Sequence, residues 1–223
     1  ELSQIEGFEV EGNNLQIRAL VENGEYVSAK AVIDRLIAND TASLDTIVYC
    51  GELSLNLGDA IGAIDCLEDA LAKDPDHIKA HFLLGKSYIR LGLTDKGLEE
   101  FTTAENIGSE DASVWYRSGL AYQSLDKHPE AIERLQKSQA IDADNEDTQL
   151  AIARSYLAQK DYDNVRNIAV KLAGKRDTEA EGHYLLGITS YATGDYPQAL
   201  LSLSKATRAD RSNSTAWLAL ADT

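Results

Sequence analysis

The sequence predicts an all-α fold made of repeated antiparallel helix hairpins, and three observations lead to this fold class. The residues HFLLG at 81–85 return as HYLLG at 183–187, 102 positions later, which is three times 34. A 34-residue lattice anchored on Gly85 needs no insertion or deletion anywhere along the chain. Apolar residues recur at helical spacing within each period. A fixed period of this length is typical of repeat architectures.

In each 34-residue repeat, the first helix carries the anchor position. That position is almost always small, which lets two helices cross closely, and it holds Ile17, Gly51, Gly85, Gly119, Ala153, Gly187 and Ala221. Seven residues later a break is expected, since glycine accepts the left-handed conformation at helix ends. The residues at this break are Gly24, Gly58, Gly92, Asp126, Lys160 and Gly194.

The second helix of each unit follows the break. Leu98, Phe101, Thr102 and Glu105 show its helical spacing in the third unit. Pro129 and Pro197 fall at its first turn, where a missing N–H costs nothing. Pro75 falls beyond the end of another second helix, where the chain must turn. All three prolines therefore lie at predicted boundaries.

The pattern resembles the tetratricopeptide repeat. The stretches FLLGKSYIRLG, WYRSGLAYQSLDKHPEAIERLQKSQAID and HYLLGITSYATGDYPQALLSLSKATRAD carry the resemblance best. It implies a right-handed superhelical solenoid in which each unit contacts only its neighbours. Residues 1–9 would be a lead-in segment and residues 214–223 the start of a seventh repeat or a capping helix. The six full repeats would be 10–43, 44–77, 78–111, 112–145, 146–179 and 180–213.

Two repeats depart from the family pattern. The first has Asn13 and Ile17 at signature positions, and the fifth has Lys160, Val165 and Ala169 where Gly, Ala and a large residue are typical. We expect these two repeats to pack less ideally. The chain contains no Met and ends on the unfinished helix STAWLALADT, so we expect a piece of a longer polypeptide. The sequence of its repeats resembles that of bacterial repeat proteins, so we expect a bacterial origin.

The charge balance limits the classes of partner that the chain can bind. The net charge of −16 argues against nucleic acid and anionic membrane surfaces. Residues 1–77 hold 4 Lys/Arg against 16 Asp/Glu, which indicates either a solvated acidic end or a docking surface for a basic partner. No run of 18 apolar residues and no signal peptide is visible, so a soluble fragment is expected, cytoplasmic or periplasmic.

No motif predicts catalysis, a cofactor or a metal. His77 and His81 have helical zinc-ligand spacing, but no nearby Cys or His completes a site. His81 and His183 share a phase held by Trp115 and Trp217, so packed rings are expected there. The acidic run DADNED at 142–147 lacks the glycine and the closing glutamate of a calcium loop, and helix capping explains it better. We expect no enzyme activity within this chain.

The two cysteines lie on the two helices of the second repeat. An antiparallel hairpin could bring Cys50 and Cys66 together, so a disulfide is one interpretation. Two buried free thiols acting as small apolar residues are the favoured interpretation.

A partner-binding groove is implied by the resemblance, because the first helices of such arrays line one surface. The second, fifth, ninth, twelfth and thirteenth residues of each repeat would face it. Aromatic side chains and Arg are typical anchors of recognition. No lysine stands at the fifth position, so the family's carboxylate clamp is not expected. The groove residues we select are Lys79, Phe82, Lys86, Arg90, Tyr116, Gln123, Arg154, Tyr184 and Tyr191.

These features predict a non-enzymatic scaffold that binds a protein or peptide segment with apolar and some acidic residues. The repeat idiom resembles bacterial arrays of envelope assembly and of exopolysaccharide or pilus export. The alternative is a regulatory or substrate-docking array of a larger enzyme whose catalytic domain lies outside this chain. End-to-end self-association through the end faces is a third hypothesis.

Overall fold

A computed structural model describes residues 12–13 and 15–223, and they form an all-α helical-repeat fold. The described residues contain thirteen helices and no strand. The predicted lead-in segment at 1–9 lies outside the described residues. The helices are α1 (12–13 and 15–22), α2 (Tyr26–Ala38), α3 (Leu44–Asn56), α4 (Ala60–Lys73), α5 (Ile78–Arg90), α6 (Thr94–Ile107), α7 (Ala112–Gln123), α8 (His128–Ile141), α9 (Glu146–Ala158), α10 (Tyr162–Ala173), α11 (Glu179–Ala192), α12 (Tyr196–Ala209) and α13 (Ser214–Ala221).

The chain divides into two compact units, Glu1–Ser109 and Glu110–Thr223. In unit 1, helices α2 to α6 pack consecutively, and the first helices α3 and α5 also touch each other. In unit 2, helices α7 to α13 pack consecutively, and the first helices α7 and α9 also touch. Each unit therefore contains a layer of first helices (α1, α3, α5 or α7, α9, α11, α13) and a layer of second helices.

The breaks between first and second helices have the backbone conformation that the sequence predicts. The glycines at this phase all have positive φ, between 78° at Gly24 and 87° at Gly58. Asp126 and Lys160 adopt the same conformation at 57° and 60°, although they carry a Cβ. A side chain in this region costs about 1–2 kcal/mol, so the turn geometry is imposed by the packed helices on either side.

Helix pairs approach most closely at the anchor position. A Cβ added at Gly85 would lie 2.6 Å from the ring of Phe101, which stands sixteen residues later on the second helix. Leu67, Leu135 and Leu203 crowd the other anchor glycines in the same way. The small anchor residue therefore makes room for a large side chain on the facing helix.

The fifth repeat has alanine at both of these positions. Ala153 takes the place of the glycine, and the residue sixteen positions later shrinks to Ala169. Both are completely buried, in one cluster with Val165, Leu172 and Leu185. The two helices of this repeat, α9 and α10, nevertheless approach each other over a smaller area than the helix pairs α3–α4, α5–α6, α7–α8 and α11–α12 do, in agreement with the expectation of less ideal packing.

Helix ends follow the predicted capping chemistry. Asn145, in the acidic run DADNED, caps α9 by accepting a hydrogen bond from the Thr148 N–H. Asp59, Asp161 and Asp195 cap second helices in the same way. Proline stands in the first turn of α8 and of α12. These contacts satisfy N–H groups that a helix leaves unpaired at its start.

The prediction of two free thiols is wrong. Cys50 on α3 and Cys66 on α4 form a disulfide that closes a loop of 16 residues. This separation equals that of Gly51 and Leu67, the facing pair one position further on. Cys50 and Cys66 stand next to the facing pair Gly51 and Leu67, so the close crossing of α3 and α4 also brings the two sulfur atoms together.

Candidate functional site

The predicted cations of unit 1 lie along one helix, α5. Lys79, Lys86 and Arg90 are all exposed. The Lys79 ammonium is 2.7 Å from Oε2 of Glu52 on the neighbouring first helix α3. A guanidinium N–H of Arg90 donates to the backbone carbonyl of Leu55, in the last turn of α3. Lys86 forms no ion pair or hydrogen bond with the described part of the chain.

A first cleft, which we call the three-helix cleft, opens between α1, α3 and α5 and has a volume of about 390 Å³. Burial raises the pKa of Tyr49, and the nearby Glu52 carboxylate raises it further. The cleft combines an aromatic side chain with charges of both signs. Its polar lining includes Arg18, Asp45, Tyr49, Glu52 and Lys79.

A second cleft, which we call the α3–α5 cleft, lies between the C-terminal turns of α3 and α5 and has a volume of about 530 Å³. Leu55 and Leu83 line it and are 8% and 9% exposed, so its apolar surface is recessed. Its polar lining consists of Glu52, Asn56, Lys86 and Arg90. Glu52 lines both clefts.

Phe82 is not part of this exposed surface. Its side chain is 4% exposed, and its ring lies 5.7 Å from that of Phe101, measured between centroids. The ring therefore packs onto the second helix of its own hairpin. We expected Phe82 to contact a partner directly, and the structure instead makes it part of the core that supports α5.

Unit 2 carries the other predicted residues on its own first helices. Gln123 is half-buried and donates its amide to the Ala151 carbonyl and to the Ser155 hydroxyl, both at 2.6 Å. This side chain therefore ties α7 to α9. The amide N–H groups that we expected to face a partner are committed to these internal contacts.

Three aromatic side chains and one cation remain accessible in unit 2. Burial raises the pKa of Tyr116, the Asp147 carboxylate raises it further, and Arg154 opposes both. Arg154 is exposed, and Tyr184 is half-buried. Tyr191 is 43% exposed and stacks edge-on against Tyr196, with 5.5 Å between the ring centroids.

The histidines have structural roles. His77 caps α5, since its Nδ1 accepts a hydrogen bond from the Ala80 N–H. His81 is 8% exposed, with Nδ1 at 2.7 Å from Glu100 and Nε2 at 2.8 Å from the Pro75 carbonyl. Both ring nitrogens of His81 are thus engaged. In the described residues, no group of three or more His, Cys, Asp or Glu side chains could hold a metal ion.

Several residues that line the clefts are absent from the predicted groove residues, among them Arg18, Asp45, Tyr49, Glu52 and Asn56. Glu52 and Asn56 occupy the ninth and thirteenth positions of the second repeat, the phases that we used to choose residues in later repeats. The sequence of the second repeat therefore carries the same signal for these two residues as the third to sixth repeats carry for theirs. Tyr49 falls on the sixth position and had no such signal.

No helix in the described part of the chain is long and apolar enough to cross a membrane.

Two family models, both described as tetratricopeptide repeat, match this sequence. One matches residues 51–112 and 184–223, and the other matches residues 112–145. Together they cover more than half of the chain. No curated protein matches it by sequence.

Solved structures with a similar fold come from repeat proteins of low sequence identity. PilF of Pseudomonas aeruginosa has a TM-score of 0.67 at 14% identity, over 98% of this chain and 99% of that one. PilW, described as a type IV pilus biogenesis factor, has 0.62 at 17%, over 81% and 87%. YrrB, described as having an unusual peptide-binding site, has 0.61 at 16%, over 84% and 96%.

Proposed function

The chain belongs to the tetratricopeptide repeat family, and we propose from this that it is a non-enzymatic scaffold that binds a segment of another protein on its first helices. The observation that carries the proposal is the pair of clefts in unit 1. Both open on first helices, both have volumes within the range of ligand pockets, and both combine recessed apolar surface with a few charged groups. A protein segment that presents apolar and acidic side chains matches this lining.

Accessible aromatic and cationic side chains support the same assignment in unit 2. Tyr116, Tyr184 and Tyr191 offer large rings with a polar edge, and Arg154 offers a guanidinium that forms no ion pair with the described residues. These residue types dominate the free energy of protein recognition. We therefore keep Arg154 and the three tyrosines as contact residues, and we assign Gln123 and Phe82 to the support of the helices that carry them.

A finer part of the proposal concerns the biological setting. The fold is similar to that of a protein described as a pilus biogenesis factor, and to one with a peptide-binding site. We extend the proposal to a role in assembling a bacterial envelope structure, such as a pilus or an exopolysaccharide export system. The alternative, a docking array of a larger enzyme, uses the same surface and differs in what the array is attached to.

The experiment is a selection of binding peptides from a displayed random library on the immobilised protein. Their affinities are then measured for the wild type and for the double variant Arg90→Glu/Arg154→Glu. We expect the double variant to bind about tenfold more weakly or worse, a loss of about 1.4 kcal/mol. The matched control is Arg166→Glu/Lys171→Glu, which makes the same charge change on exposed positions of the second helix α10.

Equal losses in the two double variants would show that net charge, and not the first-helix surface, governs binding. Failure to select any peptide would refute the proposed function itself. Far-ultraviolet circular dichroism and the urea midpoint of each variant verify that the helices remain folded.

A further inference from the structure

We infer that the bound segment places a side-chain carboxylate in the α3–α5 cleft of unit 1, against the ammonium of Lys86 and the guanidinium of Arg90. The inference rests on the proposed function and names the chemical group that this part of the surface recognises. It differs from the sequence expectation, which spread the binding residues over the third to sixth repeats without locating a subsite.

The carboxylate that lines this cleft does not neutralise its positive charges. Among the described residues that line the cleft, Glu52 carries the one carboxylate, and its Oε2 already contacts the Lys79 ammonium at 2.7 Å. Lys86 has no anionic partner in the described residues. Arg90 uses an N–H on the Leu55 carbonyl, and a guanidinium has five N–H donors. A local excess of positive charge thus persists in a chain of net charge −16.

The guanidinium is also held in place before any ligand arrives. Its acceptor, the Leu55 carbonyl, lies in the last turn of α3, while Arg90 is the last residue of α5. The hydrogen bond therefore stretches the side chain across the cleft from one helix to the next. A donor group that is already oriented loses less conformational entropy on binding. Planar guanidinium groups are well suited to carboxylates.

The other residues that line the cleft indicate which side chains stand next to the carboxylate in the bound segment. Leu55 and Leu83 form recessed apolar surface, and Asn56 offers an amide at the rim. A volume of about 530 Å³ accommodates more than one side chain. The expected ligand is a peptide with an Asp or Glu beside an aliphatic residue, and not a free carboxylate ion.

The test uses peptides selected from the random library on the full chain, in the wild type and in Lys86→Glu. Lys86 is exposed and pairs with none of the described residues, so this substitution should leave the fold intact. We expect selected peptides to contain Asp or Glu, and Lys86→Glu to weaken them about tenfold, as charge reversal at an interface does. Arg166→Glu, the same change on α10, should alter affinity less than about twofold. Arg90→Gln provides a second variant at the subsite.

A charge swap then locates the contact. Replacing the peptide's Asp or Glu by Lys should abolish binding to the wild type and recover it on Lys86→Glu. If selected peptides bind Lys86→Glu and Arg166→Glu equally well, the carboxylate subsite is wrong while the peptide-binding function stands. If no peptide is selected, the proposed function fails, and the subsite fails with it.

Discussion

Two histidines at the same phase of the repeat have different surroundings. His81 contacts the Glu100 carboxylate and the Pro75 carbonyl. The residues 102 positions later are Ser202 and Asp177, so His183 has no carboxylate at the position of Glu100. Its Nδ1 is buried and has no hydrogen-bond partner among the residues that the structure describes, and Lys205 lies nearby. The motif shared by 81–85 and 183–187 therefore fixes where the ring lies but not what it contacts.

This difference gives a pH-dependent prediction for His183. Burial lowers the pKa of His183, Lys205 lowers it further, and Glu179 opposes them. The unfolded chain then binds a proton at a higher pH than the folded chain does. The stability that depends on a neutral His183 is present above the unfolded pKa of about 6.5 and is lost as pH falls through the folded pKa.

We expect His183→Gln to lose less free energy of unfolding between pH 7 and pH 5 than the wild type does. Urea denaturation at a series of pH values measures this change. Lys205→Gln should flatten the profile in the same direction but by less, because burial is the larger cause. An identical pH profile for His183→Gln and the wild type would contradict the assignment.

At the scale of the helix, tyrosines connect successive hairpins. The Tyr88 hydroxyl on α5 donates to Glu68 on α4 at 3.0 Å, and the Tyr156 hydroxyl on α9 accepts from Gln136 on α8 at 3.4 Å. Both pairs are separated by 20 residues, so the same contact recurs in unit 1 and in unit 2. Tyr122, at the same phase, turns to its own hairpin and stacks under Arg134, 3.7 Å from the ring centroid.

The disulfide acts on one hairpin, α3–α4, and predicts a redox-dependent stability. It closes a 16-residue loop, and a loop of that length contributes about 3 kcal/mol by restricting the unfolded chain. We expect a reducing agent, or Cys66→Ser, to lower the free energy of unfolding by about this amount. Urea denaturation with and without reductant measures the change, and Cys66→Ser itself should no longer respond to reductant.

Alkylation provides a second measurement of the same bond. The denatured, unreduced protein should add no alkyl group, and the reduced protein should add two, as read from the intact mass. Two alkyl groups without prior reduction would show that Cys50 and Cys66 are free thiols.

At the scale of the whole molecule, the sequence predicted the helices because each is marked by steric requirements that recur every 34 residues. The anchor glycines, the left-handed turns and the two helix-starting prolines are such requirements, and the structure confirms each of them. The burial of Phe82 could not be predicted from its position within the repeat. Its ring contacts Phe101, an aromatic residue where Leu67, Leu135 and Leu203 stand in other repeats.

The site was harder to predict than the fold because binding depends on which charges are already paired. The sequence shows Lys79, Lys86 and Arg90 as equivalent cations along α5. The structure distinguishes them, since Glu52 neutralises the first, the Leu55 carbonyl holds the third, and Lys86 lacks a partner in the described residues. Such pairings join residues about 30 positions apart, and their geometry follows from helix packing.

The net charge of −16 predicts that salt stabilises the whole chain. Like charges repel more strongly in the compact state than in the expanded unfolded chain, and most of the excess acid lies in residues 1–77. Raising the salt concentration from about 0.01 M to about 1 M shortens the screening length from roughly 30 Å to roughly 3 Å. We therefore expect the thermal unfolding midpoint to rise over this range of sodium chloride.

Charge variants separate this effect from general salt effects on the solvent. Asp65→Asn/Asp69→Asn removes two exposed acids of α4 and should raise the midpoint at low salt while reducing the response to salt. The opposite control, Arg166→Gln/Lys171→Gln, removes two exposed bases of α10 and should lower the midpoint and enlarge the response. Scanning calorimetry at each salt concentration measures both. If the two variants respond to salt as the wild type does, repulsion among the acids is not what limits the stability of the fold.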